Sequence, residues 1–173
     1  MTIDIPTIDN VLAAIDQEEA KLVTLMSSLD EEKVNAIPYE GSWTPVQLLN
    51  HVEQSNYGMG GRLAEPSAAT DRDPAEKIAR FKTVLQDETN KLKSPDFIIP
   101  GPGPYEKKKA IEDLQASFKN FRENARKATL NEVVEGLPTG PITKLEIIHF
   151  VLYHTQRHAH QMERICKALE EKG

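Results

Sequence analysis

The chain has 173 residues and a formal net charge of -6, with 21 Lys+Arg against 27 Asp+Glu spread along its length. Such a length suits one domain, residues 1–173, that buries roughly 70% of the surface its unfolded form would expose, and the dispersed acidity argues against nucleic acid as a partner. One cysteine, Cys166, excludes an intramolecular disulfide, and neither a basic N-terminal start nor a window of about 18 apolar residues is present, so the reading is cytoplasmic, untargeted and without a membrane span.

Helical periodicity runs through most of the sequence, and strand alternation is absent. A first helix, about Thr7 to Leu29, carries Ile8, Val11, Leu12, Ile15, Leu22, Leu25 and Met26 at spacings of three and four, which predicts one buried face. A second opens at T-P-V-Q, where Thr44 caps, Pro45 takes the first helical position and Gln47 can reach back as in a capping box; it runs to about Leu63. Within it, NYGMGGR at 56–62 lacks the spacing and lysine of a phosphate loop, and Gly58, Gly60 and Gly61 either permit close helix packing or end the helix. D-P-A-E starts a third helix in the same way, with Asp73 as cap, and carries Ile78, Phe81, Val84 and Leu85 towards Leu92.

The stretch from Ser94 to Tyr105 cannot be helical, because proline and glycine alternate from Pro100 to Pro104. Phe97, Ile98 and Ile99 stand together in this stiff loop, and apolar side chains so placed are expected to pack against the bundle. A fourth helix, about Glu106 to Ala128, follows with Ile111, Leu114, Phe118 and Phe121 on one stripe, and the basic run Lys107 to Lys109 forms its solvated first turn. Thr143 and Glu146 make another capping box, which opens a last helix reaching about Leu169.

Four of the five histidines lie on that last helix, in HFVLYHTQRHAH at 149–160. With about 100° per residue and His149 at zero, Ile147, Val151, Met162, Ile165, Cys166 and Leu169 fall between about 160° and 260°, the core arc. His158 at about 180° and His154 at about 140° lie on or beside it, whereas His149 and His160 fall near 0° and 20° and read as polar surface. Two imidazoles at i, i+4 are close enough to converge on one ion. The remaining histidine, His51, sits on the shoulder of the second helix, about 80° from the centre of its apolar stripe, where it can point along a groove between helices. Three histidines from facing helices with an open fourth position make a catalytic type of zinc site; packed core histidines satisfied by neighbours are the alternative. Gln161 is the polar candidate to support His158 from behind, or else a glutamine on the helix shoulder.

GSWTPVQLLNHVEQS, followed about a hundred residues later by ITKLEIIHFVLYHTQRHAHQMERI, resembles the DinB and YfiT-like superfamily of metalloenzymes. Its members are similar in a W-[ST]-P-x-x-[LV]-L-x-H element opening the second helix and an HxxxH element followed by Gln in the last. The resemblance implies an all-α fold, a four-helix bundle with one long connection; the sequence departs from it by showing a fifth helical segment, 74–92, which leaves open which of the five is the additional one. It also implies a homodimer and a divalent metal held by His51, His154 and His158. It supplies no single activity, since the family includes thiol-dependent transferases and isomerases, DNA-damage-inducible proteins and members assigned as hydrolases.

Other chemistries fit poorly. HTQRH places Gln156 and Arg157 where a zincin places its glutamate base, which excludes that peptidase pattern. Cys166 lies eight residues past His158, about 12 Å along the helix, and reads as a small buried hydrophobe. Glu53 points about 160° away from His51 on its helix. The expectation is a metal-dependent enzyme carrying Zn2+ or Ni2+, both suited to imidazole, with a small-molecule substrate and a low-molecular-weight thiol as nucleophile. Metal-assisted hydrolysis and a metal-binding stress-response bundle without turnover are the alternatives, and no catalytic acid or base is assigned.

Overall fold

Short-range hydrogen bonds set where the helices begin. In the computed structural model, which describes residues 7–90, 92, 94–95 and 98–172, Thr7 accepts from the Asn10 N–H and starts α1 (Ile8–Ser27). A four-residue turn of helix, α2 (Glu31–Val34), follows under the Asp30 cap. The Thr44–Gln47 box forms in both directions, at 3.2 and 3.0 Å, and starts α3 (Pro45–Ala64). α4 (Ile78–Gln86) and α5 (Lys107–Lys127) come next, then a two-residue antiparallel pair, β1 (Val133–Val134) and β2 (Ile142–Thr143). The Thr143–Glu146 box, at 2.8 and 3.1 Å, then launches α6 (Lys144–Lys172).

Four long helices make the bundle: α3 packs along α5 and α6, and α1 packs along α6 and α5. Apolar stripes meet in one core, with Leu12 and Ile15 of α1, Leu48 of α3, Phe118 and Phe121 of α5 and Ile147 of α6 all without solvent access. Each such side chain contributes roughly 1.5 to 3 kcal/mol through burial. α3 and α6 run antiparallel, since Lys144 at the start of α6 donates to the Glu65 carbonyl just past the end of α3, while His51 meets His154 and His158 further along. Among the described residues no helix is long and apolar enough to cross a membrane.

The segment at 74–92 is the additional one, and it is shorter than its periodicity predicts. Residues 74–77 form turns, because the Lys77 N–H donates to the Glu146 carboxylate at 2.6 Å and the Asp73 carboxylate takes the Ala75 N–H. At the other end Asp87 accepts from the N–H and hydroxyl of Thr89 and ends the helix. The nine residues left, α4, lie alongside α6. The β1–β2 pair was not expected from sequence: two residues per strand are too few to show a period of two.

The glycines of α3 do not end it. An added Cβ at Gly60 would stand 3.0 Å from the Asn120 side-chain oxygen, so this position permits the close approach of α5, while Gly58 and Gly61 have nothing within 4 Å. In the proline-stiffened loop Ile98 is buried as expected but Ile99 is 47% exposed. Phe97 and the first residues of the N-terminus, 1–6, lie outside the described residues.

The reading of His149 as polar surface is overturned. It is fully buried, as are Glu146, Ile148 and Thr155 on neighbouring faces of the same helix. α6 packs against α1, α3 and α4, so a wheel with one buried arc underestimates what it covers. His160 is exposed as expected, with Nδ1 3.3 Å from a Glu88 oxygen.

Candidate metal centre

The two capping boxes fix the register of α3 and α6, and that register brings three imidazoles together. His51 lies seven residues after Thr44, and His154 and His158 lie eleven and fifteen after Thr143. Their Nε2 atoms form a triangle with sides of 3.1 Å (His51–His158), 3.1 Å (His158–His154) and 3.4 Å (His51–His154). Among the described residues this is the one group of three ligand-type side chains whose donor atoms converge.

Proton bookkeeping explains why this triangle suits a cation. The His51 Nδ1–H donates to the Ile98 carbonyl at 2.9 Å, and the His158 Nδ1–H donates to Gln161 Oε1 at 2.8 Å. Both Nε2 atoms are therefore bare lone pairs facing each other, and only His154 could donate across the triangle. A tetrahedral ion bound at about 2.0 to 2.1 Å would set its nitrogens about 3.3 to 3.4 Å apart, close to the triangle seen. The residues present fit a divalent ion.

Burial reinforces that protonation state. Desolvation, then the neighbouring charges of His51 and Arg157, outweigh the hydrogen bond that His158 donates to Gln161 and push His158 down to about 3. Desolvation first, then His158, His51 and Arg157, lowers His154 well below the ordinary imidazole value, and burial lowers His51 despite its bond to Ile98. All three are neutral near pH 7, so an ion would meet no imidazolium charge. His149 is lowered by burial too, but its Nδ1 bonds the Leu145 carbonyl at 3.1 Å and it belongs to no ligand cluster.

Aromatic rings hold the imidazoles in place. Phe150 stacks on His154 with centroids 5.6 Å apart and planes 15° apart, and Trp43 lies 5.0 Å from His51. The Trp43 of the W-[ST]-P element thus has a structural role at the site. Arg157, on the same turn as His158, donates to the carbonyls of Leu85, Asp87 and Asn90, pinning the end of α4 beside the triangle. Neither the Ile98 carbonyl nor Arg157 carries a sequence signal for its role: one is backbone in a loop, the other an ordinary surface-type residue.

Gln161 lies where its helical spacing suggests, directly behind His158. Glu53 faces away from the triangle as expected, against Asn50, where burial and then Asp113 raise its pKa. Cys166 is buried, and desolvation, then Glu170, pushes its thiol up to about 11, which agrees with a packing role.

The triangle forms one end of a pocket of about 740 Å3 between α3, α4 and α6. That volume is in the range of small-molecule sites. A polar-lined hollow of about 290 Å3 on another face contains no convergent ligand set.

Residues 14–162 match the sequence model of the DinB superfamily. YuaE of Bacillus subtilis is 26% identical over 166 residues, covering 88% of this chain and 96% of that one. Among solved structures, YfiT of Bacillus subtilis superposes with a TM-score of 0.63 at 15% identity, covering 96% of this chain and 91% of its own. It is described as a probable metal-dependent hydrolase with an unusual four-helix bundle topology. A conserved protein of Enterococcus faecalis gives 0.69 at 13% identity, covering 96% and 99%. At these identities the two structures establish a shared fold.

Proposed function

The chain belongs to the DinB superfamily, and from that premise we propose that it is a metal-dependent enzyme whose divalent ion is held by His51, His154 and His158. The observation that carries this reading is the triangle of Nε2 atoms at 3.1 to 3.4 Å, two of them bare lone pairs, at the end of a ligand-sized pocket. Zn2+ and Ni2+ both suit three imidazoles. An ion bound there supplies Lewis acidity, lowering the pKa of a thiol or water that reaches its open position.

The chain's own residues do the rest. The Ile98 carbonyl and Gln161 hold the protons of His51 and His158 on Nδ1, so each Nε2 stays available. Phe150 and Trp43 pack against the His154 and His51 rings and help to hold their planes. No ligand is anionic, and Arg157 adds further positive charge beside His154 and His158. Such surroundings favour an anionic nucleophile, and the reading we place first is transfer of a low-molecular-weight thiol onto a small electrophile. The same reading sets the protein in the cytoplasm, where such thiols stay reduced, and includes the homodimer that the family resemblance implies.

Hydrolysis is the second reading, favoured by the description of YfiT as a probable metal-dependent hydrolase. The deciding experiment begins with elemental analysis of freshly purified protein. Metal-loaded protein is then given a panel of thiols with an aryl halide or epoxide, and separately esters and amides without thiol, with His158→Ala as control. Thiol-dependent turnover lost in His158→Ala supports transfer. Thiol-free ester cleavage lost in that variant moves the assignment to hydrolysis, and no metal-dependent turnover in either assay leaves a non-enzymatic metal-binding bundle.

A further inference from the structure

The pocket has two chemically different ends. At one are the three imidazoles; at the other are three cations, Arg62 of α3, Lys77 just before α4, and Arg80 within α4. The packing of the helices sets their separation. Arg62 lies eleven residues beyond His51, about 16 Å along the α3 axis. α3 meets the start of α6 there, through Glu65 and Lys144, and the Lys77 N–H meets Glu146 at the same end. α4 then runs alongside α6, so that Leu85 reaches Arg157 beside the imidazoles. Between the ends the wall is apolar: Met59 from α3, Phe81 from α4 and Phe150 from α6, the two phenyl rings edge to face at 5.5 Å.

The cations are not consumed by carboxylates. Lys77 Nζ donates to the Pro141 carbonyl at 2.6 Å, which leaves its charge uncompensated. Arg80 is exposed and makes no hydrogen bond or ion pair with a described residue. Arg62 donates to the Glu135 carbonyl, and its Nε lies 3.4 Å from a carboxylate oxygen of Glu65, itself 63% exposed and so weakly held. The buried carboxylate at this end, Glu146, is matched by Arg72. A chain with a net charge of -6 therefore presents a positive patch at the far end of this pocket.

We infer that the pocket takes an elongated organic anion, whose carboxylate or phosphate rests against Arg62, Lys77 and Arg80 while its apolar body lies along Met59, Phe81 and Phe150 and its reacting group reaches the three histidines. This rests on the proposed metal site for the reacting end only. The anion end stands on the helix packing and the charges.

The test uses ω-mercaptoundecanoate and ω-mercaptoundecanol, which share thiol and chain and differ only in the terminal charge. Binding is measured by calorimetry on the full-length zinc-loaded protein and on the same protein after chelation. The acid should bind at least about tenfold tighter than the alcohol, as expected for one charge-assisted hydrogen bond, in both forms of the protein. Lys77→Gln/Arg80→Gln, both changes near the surface, should reduce that ratio to near one, mainly by weakening the acid. Equal affinities for acid and alcohol in the unaltered protein overturn the inference, as does a ratio that survives the double substitution and Arg62→Gln. A preference for the acid that persists while chelation leaves both affinities unchanged keeps the anion end and removes the metal reading instead.

Discussion

Replacing Gln161 by leucine tests the site without touching a ligand. The side chain accepts the Nδ1–H of His158 at 2.8 Å, and His158 is 8% exposed, so water cannot readily take over as acceptor. Leucine leaves that N–H unpaired at a cost of about 1 to 3 kcal/mol, or drives the proton to Nε2, where an incoming ion must displace it. Either route falls on the metal-bound state, and a tenfold to hundredfold loss of affinity, about 1.4 to 2.7 kcal/mol, is the matching scale for such supporting partners. With metal at about a hundred times the wild-type dissociation constant, linkage stabilises the wild type by about 2.7 kcal/mol. The same metal concentration would stabilise Gln161→Leu by about 1.4 kcal/mol at a tenfold loss and about 0.4 at a hundredfold loss. Competition against a chromophoric chelator gives the affinity, and urea unfolding with and without metal gives the linkage. Gln161→Glu is the companion variant: a carboxylate is the stronger acceptor and should hold or raise affinity. A dissociation constant for Gln161→Leu within twofold of wild type would refute the idea that this hydrogen bond sets the tautomer of a metal ligand.

His51→Ala, His154→Ala and His158→Ala should each lose most bound metal by elemental analysis while His160→Ala retains it; equal retention in His154→Ala and His160→Ala would sink the ligand assignment. Glu146→Gln should destabilise the fold by about 3 kcal/mol, because Arg72, 26% exposed, loses the buried partner it holds through two hydrogen bonds. Burial alone would raise the Glu146 carboxyl, but Arg72 and the N–H groups of Thr143 and Lys77 outweigh it and hold it low. A folded value below the unfolded one means its stabilisation is present above about pH 4.3 and is lost as pH falls through the folded value, so Glu146→Gln should flatten the acid limb of the stability curve. An unchanged acid limb would contradict this. Cys166, buried and with its thiol pushed up to about 11, should react with iodoacetamide at pH 8 far more slowly in the folded protein than in urea; labelling at equal rates would show that the end of α6 opens readily.

What the sequence determined by itself are the features whose partners lie within one helical turn. Both capping boxes join residues three apart, so Thr44 and Thr143 mark the starts of α3 and α6 without reference to the rest of the chain. His154 and His158 are four apart on a helix and must share a face, and Gln161 is three residues from the ring it supports. His51 was legible as a shoulder residue of α3, and the family resemblance joined it to the other two. Tertiary structure alone decided what depends on distant partners. α4 is short because the Lys77 N–H goes to Glu146, 69 residues away, and His149 is buried because α6 is covered by three helices where a single wheel allows for one buried arc. The proton of His51 is held by a loop carbonyl 47 residues on. The cationic end of the pocket comes from residues on two segments, Arg62 against Lys77 and Arg80, that look like ordinary surface charge until the helices pack. Local hydrogen bonds are written in residue spacing, whereas enclosure and charge convergence arise only when separate helices meet.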